Sequence, residues 1–108
     1  MIQATNTLND HQLLEAKALI AICQNDDGTF RDPYLSNMLN FDPYMPAFFL
    51  YYEKGELIGI LTVYADDPDV DVAILVHPNY RRQGIARALY GSFEKETASY
   101  PIESVTFQ

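Results

Sequence analysis

LVHPNYRRQGIARALY, residues 75–90, gathers three arginines around one glycine where an apolar run gives way to helical spacing. The run before it, VAILV at 72–76, is rich in β-branched residues, and Pro78 closes it because proline has no NH to give a sheet ladder. After it, Ile85, Leu89 and Phe93 recur at intervals of four, with the small Ala86 and Ala88 alongside, which predicts a helix from about residue 84 to 98. The stretch therefore reads as strand, turn, helix. A helix N-terminus leaves its first backbone NH groups unpaired and carries partial positive charge, so it binds anions with no side chain taking part. Gly84 falls at that N-terminus, where the missing Cβ lets the backbone approach a bulky group closely, and Arg81, Arg82 and Arg87 add charge around it. The reading is a seat of diphosphate size, against the plainer alternative of a solvated turn before an ordinary helix.

Outward from this point the chain keeps an α/β order. Residues 2–6 form a weak first strand, and Asn9 with Gln12 three positions later resembles a capping box opening a helix through about Cys23. Leu13, Leu14, Ala18, Leu19, Ile20 and Ile22 make that helix apolar over most of its circumference, which predicts one face on the core and a second against another element or subunit. NDDG at 25–28 reads as a turn. Asp32-Pro33 fits an N-cap with proline at the first position of a short second helix, and DPY at 42–44 reads as a turn. AFFLYYE, a turn at Lys54-Gly55, and ELIGILTVYA predict a hairpin. DDPDVD turns the chain into the strand before the arginines, and IESVTF alternates as a last strand.

Composition bounds the function. The 108 residues carry a formal net charge of -8, which argues against a nucleic-acid or anionic-membrane surface. Of seven Lys plus Arg, three lie within residues 81–87, and such a local cationic island suits a compact polyanion. Cys23, the single cysteine, sits in an apolar run and excludes internal disulfides and a multi-cysteine zinc site. No histidine pair has ligand spacing, and the acidic turn lacks a calcium loop's glycine and glutamate, with Val72 and Pro78 in their places. No metal is expected. No apolar run has bilayer length and MIQATNTLND has no signal core, so no membrane partner and a cytoplasmic location are expected.

The Walker phosphate-loop pattern and G-x-G-x-x-G are both absent. Arg81-Arg82-Gln83-Gly84-Ile85-Ala86 instead resembles [QR]-x-x-G-x-[GA], the acyl-CoA motif of the GNAT family of N-acetyltransferases. The agreement extends back through ILVHPNY and forward into the ALY helix, and the element order resembles the family's over essentially the whole chain. The resemblance implies an α/β (α+β) fold: a mixed, mostly antiparallel twisted sheet flanked by helices, acyl-CoA N-acyltransferase-like. It implies that backbone NH groups of Arg82, Gln83, Gly84, Ile85, Ala86 and Arg87 hold the pyrophosphate of acetyl-CoA, with arginine side chains including Arg81 reinforcing them. Main-chain groups of Ile74, Leu75 and Val76 meet the pantetheine arm. His77 and Tyr80 shape the turn.

Transfer in that family is direct, from acetyl-CoA as co-substrate to an amine. An amine attacks a thioester only with its lone pair free, so the site needs a proton acceptor. Asp71 is the nearest candidate by position, although Asp66, Asp67, Asp69 and Asp71 also read as a solvated acidic turn. Tyr34, Tyr44, Tyr51, Tyr52 and Tyr64 read either as an acceptor pocket or as packing. The family's module continues past the strand at 102–107 with a helix and two strands, so one domain over 1–108, lacking those C-terminal elements, is expected. An apolar last strand is an edge, and edges seek partners, so a homo-oligomer, a dimer by strand pairing, is expected. Three classes follow: an N-acetyltransferase for a small-molecule or peptide amine, a catalytically incomplete acyl-CoA-binding module, and an oligomerisation domain.

Overall fold

The computed structural model describes residues 1–28 and 32–107. Five strands form one sheet in sequence order: β1 (Ile2–Thr5), β2 (Phe48–Glu53), β3 (Glu56–Tyr64), β4 (Asp69–Val76) and β5 (Ser104–Phe107). The first three pairings are antiparallel and β4 with β5 is parallel. A parallel pair needs a crossover, and α2 (Ile85–Glu96) supplies it. The other helix, α1 (Asp10–Asp27), joins the first strand to the hairpin side of the sheet. The mixed, mainly antiparallel architecture is the one expected.

Alternation along the strands sends side chains to two faces. Phe49, Leu61, Val63, Val70 and Val72 pack with Ile85, Leu89 and Phe93 of α2, while Leu50, Leu57 and Ile60 pack with Ala16, Leu19 and Cys23 of α1. The sheet is a layer between the helices. Between Tyr51 and Tyr52 the β2–β3 register slips by one, which puts the consecutive residues Ile58 and Gly59 on the α2 side. That bulge has a use. A Cβ at Gly59 would lie 2.9 Å from Ile85 Cγ2 and 3.2 Å from Leu89 Cδ1, so only glycine lets the start of α2 settle this close to β3.

Asn9 caps α1 as its sequence implies, accepting from the Gln12 NH at 2.8 Å while the Gln12 side chain accepts from the Asn9 NH at 3.0 Å. The helix is longer than its spacing indicated: Asn25, Asp26 and Asp27, read as a turn, form its last turn, and Gly28 closes it at φ 67°. Leu14 is 69% exposed and Ile22 is 44% exposed, so the second apolar face meets no element among the described residues.

The short helix expected at Asp32-Pro33 does not form; residues 32–47 contain turns and irregular backbone only. Local caps lose here to tertiary partners. The Asp32 carboxylate accepts from Gln24 Nε2 at 2.8 Å instead of capping, and the Tyr34 hydroxyl accepts from the Leu39 NH at 3.0 Å. Buried Asn40 then fastens the segment to the end of β3, its Oδ1 accepting from the Ala65 NH at 2.8 Å. The Asp42 to Tyr44 turn forms, with Asp42 Oδ1 accepting from the Tyr44 NH at 2.9 Å.

Tyr52 on β2 donates its hydroxyl to Glu15 Oε1 of α1 at 2.9 Å. Partial burial first, then the Glu15 carboxylate, push its phenol up from 10.0 to about 12. The folded chain therefore holds this proton more tightly than the unfolded chain. The resulting stability is present below pH 10 and is lost as pH rises towards 12. Melting curves across this window should show the loss in the wild-type chain and a weaker dependence in Tyr52→Phe.

Candidate functional site

The site grows from the end of β4. β5 accompanies β4 from Asp69↔Ser104 to Val72↔Phe107 and no further, whereas β3 pairs it through Val76. Residues 73–76 thus present one backbone edge with no strand against it among the described residues, with the Val76 carbonyl at its end taken by Arg81 Nε and the Cys23 thiol. Such an edge can take an extended ligand as an added strand. Beyond it, His77 Nδ1 accepts from the Asn79 NH at 3.1 Å, and the His77 ring stands edge-on to Tyr80 at 5.6 Å. Both rings are engaged in shaping a 3-10 turn, Pro78–Tyr80.

The chain then enters α2 through two left-handed residues, Arg82 at φ 65° and Gly84 at φ 78°. Such alternation turns successive NH groups towards one point, and the α2 dipole adds positive potential there. Gln83 closes the turn at Arg81 and Arg82, whereas among the described residues no acceptor meets the NH of Arg82, Gly84, Ile85, Ala86 or Arg87; the helix's own ladder begins with the Ala88 NH, on Gly84 O at 3.0 Å. A Cβ at Gly84 would find nothing within 4 Å, so the space over these amides is open. Ile85, 4% exposed, anchors the start of the helix under the bulge at Gly59.

The β4 edge and the amides line one cleft of about 680 Å³, a size usual for small-molecule sites. Every residue expected to hold the coenzyme lines it except Gln83: Ile74, Leu75, Val76, Arg81, Arg82, Gly84, Ile85, Ala86 and Arg87. Asp27 and Tyr80 line it as well, and the sequence had marked neither for this role. Arg81 does not lie free in the cleft. It chelates Asp27, Nη1 to Oδ1 at 2.9 Å and Nη2 to Oδ2 at 3.2 Å, and the hydrogen bond to Asp27 raises its pKa beyond the ordinary arginine value. Cys23, beneath this pair, has its thiol pushed up by burial, with Arg81 acting in the opposite direction.

Asp71 lies elsewhere on the same strand. It is half-buried in β4, opposite Tyr64 and Thr106, so the acidic turn is shorter than DDPDVD implied: Asp66, Asp67 and Asp69 are exposed, and strand structure begins at Asp69. Asp71 lines a second cleft of about 410 Å³ with Asp32, Pro33, Tyr34, Leu35 and Tyr64. Tyr34 and Tyr64 meet edge to face at 4.8 Å and form an aromatic wall. Of the other tyrosines named from sequence, Tyr51 and Tyr52 pack on the sheet and Tyr44 is 80% exposed. Asp32 joins the second cleft, where the sequence offered it either as an N-cap or, with Asp26, Asp27 and Asp42, as an acidic residue favouring a cationic acceptor. Among the described residues, no group of His, Cys, Asp or Glu is arranged to hold a metal ion, and no helix is long and apolar enough to cross a membrane.

Fold and clefts place the chain in the class of mixed sheets that open a slot where two parallel strands of a β–α–β unit part. The chain belongs to the acetyltransferase (GNAT) family, whose sequence profile matches residues 13–106. No curated protein matches it at a significant level. Solved structures with a similar fold include Ard1 from Thermoplasma volcanium, at 17% identity and TM-score 0.70, covering 99% of this chain and 69% of that one. The ribosomal-protein-S18-alanine N-acetyltransferase from Escherichia coli has 16% identity and TM-score 0.66, covering 99% of this chain and 64% of the other. The diaminobutyrate acetyltransferase EctA from Paenibacillus lautus, solved with L-2,4-diaminobutyric acid and coenzyme A, has 12% identity and TM-score 0.65, covering 99% and 63%. The chain thus spans less than two thirds of the length of the last two.

Proposed function

We propose that this chain seats acetyl-CoA and passes its acetyl group directly to a primary amine. The observation that carries the reading is the set of unpartnered amides of Arg82 and of Gly84 to Arg87 at one end of a cleft whose other wall is the open edge of β4. The amides and the Arg82 and Arg87 side chains take the diphosphate, and the β4 backbone orients the pantetheine arm. The acceptor enters by the second cleft, where Asp71 removes a proton from the amine, directly or through a water. The amine nitrogen bonds to the thioester carbon, the C–S bond breaks, and the sulfur leaves as thiolate, which takes up a proton. Relatives of the same fold support the amine as acceptor, since they act on a protein alanine or bind diaminobutyric acid by name. Copies of the chain associate in this reading through the outer edge of β5, which light scattering checks as a mass above the monomer.

Calorimetric titration of the chain with acetyl-CoA tests the seat, and release of free thiol with a panel of amines tests turnover. Binding without thiol release on any amine would leave the binding-module reading in place of the enzyme. Asp71→Asn keeps the strand and the hydrogen-bonding capacity but loses the proton acceptor. It should bind coenzyme A like the wild type while kcat falls about a hundredfold, within the range for a lost general base. An unchanged kcat removes Asp71 from the mechanism.

A further inference from the structure

Asp26 and Asp27 stand in the last turn of α1, which has no basic residue of its own. Carboxylates at that end oppose the helix dipole, so α1 by itself gains nothing from them. The answering cation comes from 54 positions along the chain. Besides the two bonds to Asp27, Arg81 Nη1 donates to Asp26 Oδ2 at 3.3 Å. Its remaining edge donates from Nε to Val76 O at 3.1 Å, and the Cys23 thiol donates to the same carbonyl at 3.5 Å. A guanidinium holds its donors in one rigid plane. These bonds therefore fix Arg81 between the end of β4 and the end of α1. The next residue, Arg82, is a non-glycine at φ 65°, a conformation that does not persist unless its surroundings impose it.

Asp27 also lines the coenzyme cleft. A free carboxylate there repels a diphosphate, whereas one chelated by Arg81 is largely neutralised. Arg82 and Arg87 are exposed, and neither has a carboxylate within ion-pair distance among the described residues.

We propose that Arg81 is a positioning residue and not a phosphate ligand: held by Asp27, Asp26 and the Val76 carbonyl, it clamps residues 77–84 onto the end of α1 and so fixes the amide seat. The clamp rests on the coenzyme reading above and adds two acidic residues of α1 that govern coenzyme affinity. Arg82 and Arg87 supply the attraction. The clamp and simple electrostatics give opposite signs for Asp27→Asn, because deleting a carboxylate from an anion site otherwise tightens binding.

The test is calorimetric titration with coenzyme A at several salt concentrations, using the wild-type chain, Asp27→Asn, Asp27→Glu, Arg81→Ala and the Asp27→Asn/Arg81→Ala pair. Asp27→Asn should weaken binding about tenfold, the weight of one charge-assisted hydrogen bond. Asp27→Glu should largely restore it. Arg81→Ala should weaken binding similarly, the pair should be no weaker than the weaker single variant, and the salt dependence of the pair, which removes Arg81 together with the Asp27 charge it neutralises, should match the wild type, since both attracting arginines remain. Exposed ion pairs contribute little to global stability, so the variants should melt close to the wild type. Unchanged or tighter binding by Asp27→Asn, or a flattened salt dependence in the pair, overturns the clamp alone. Failure of the wild-type chain to bind coenzyme A overturns the coenzyme reading and the clamp together.

Discussion

Gly84→Glu should fold and lose coenzyme A binding by more than about a hundredfold, since two or more charge-assisted hydrogen bonds of about 1.5–3 kcal/mol each are lost with the seat. The new side chain starts where a Cβ meets nothing within 4 Å, so no core atom is displaced. Its carboxylate lies over amides that have no protein partner and satisfies them itself, while its charge repels the diphosphate. Gly84 is at φ 78°, and any side chain there costs about 1–2 kcal/mol of backbone strain. Gly84→Ala separates the two effects: it carries the strain without the charge, so it should lose stability to a similar extent and keep far more affinity. Calorimetry measures binding and circular dichroism checks folding. Full affinity in a folded Gly84→Glu chain would move the coenzyme site away from α2.

The strand, turn and helix that frame the candidate seat were legible in the sequence because everything that builds them is local. A strand, a proline, two arginines, a glycine and a helical apolar stripe follow one another within residues 72–93, and of these the end of the strand, the arginines, the glycine and the first turn of the helix line one cleft. The capping box at Asn9 and Gln12 was legible for the same reason. What escaped depends on partners far along the chain. Asp26 and Asp27 read as a turn because acidic residues suit a helix end poorly, and the arginine that answers them is 54 positions away from Asp27. Asp32 read as an N-cap because its bond to Gln24 crosses between segments that local spacing does not relate. Asp71 was the nearest candidate base by position, yet it read more readily as part of a solvated acidic turn. Only the registers of β3 and β5 against β4 remove it from the turn, by placing it opposite Tyr64 and Thr106. Sequence spacing thus framed the helix N-terminus, while tertiary pairing decides which partners the carboxylates around it meet.

The helix that carries the seat is held at both ends, and its far end gives the largest expected stability effect. Phe93 is 2% exposed, meets Phe49 edge to face at 6.0 Å and lies against Tyr90 at 5.6 Å. Phe93→Ala should cost about 3–5 kcal/mol, through lost transfer energy and the cavity left behind. Domains of this kind have only about 5–15 kcal/mol in all, so urea denaturation should show a much lower midpoint. The near end of α2 is anchored separately, with Ile85 against the bulge at Gly59, so the folded fraction of Phe93→Ala should keep its amides in place and bind coenzyme A with close to wild-type affinity. A ligand that binds only the folded state returns stability by mass action, about 2.7 kcal/mol at a hundred times Kd, and this should recover much of the deficit. The wild type and Phe93→Ala should therefore gain equal stability from saturating coenzyme A. A coenzyme that stabilises the wild type but not Phe93→Ala would mean that α2 moves as one body, and that the packing at Phe93 sets the seat as firmly as the glycine beneath Ile85.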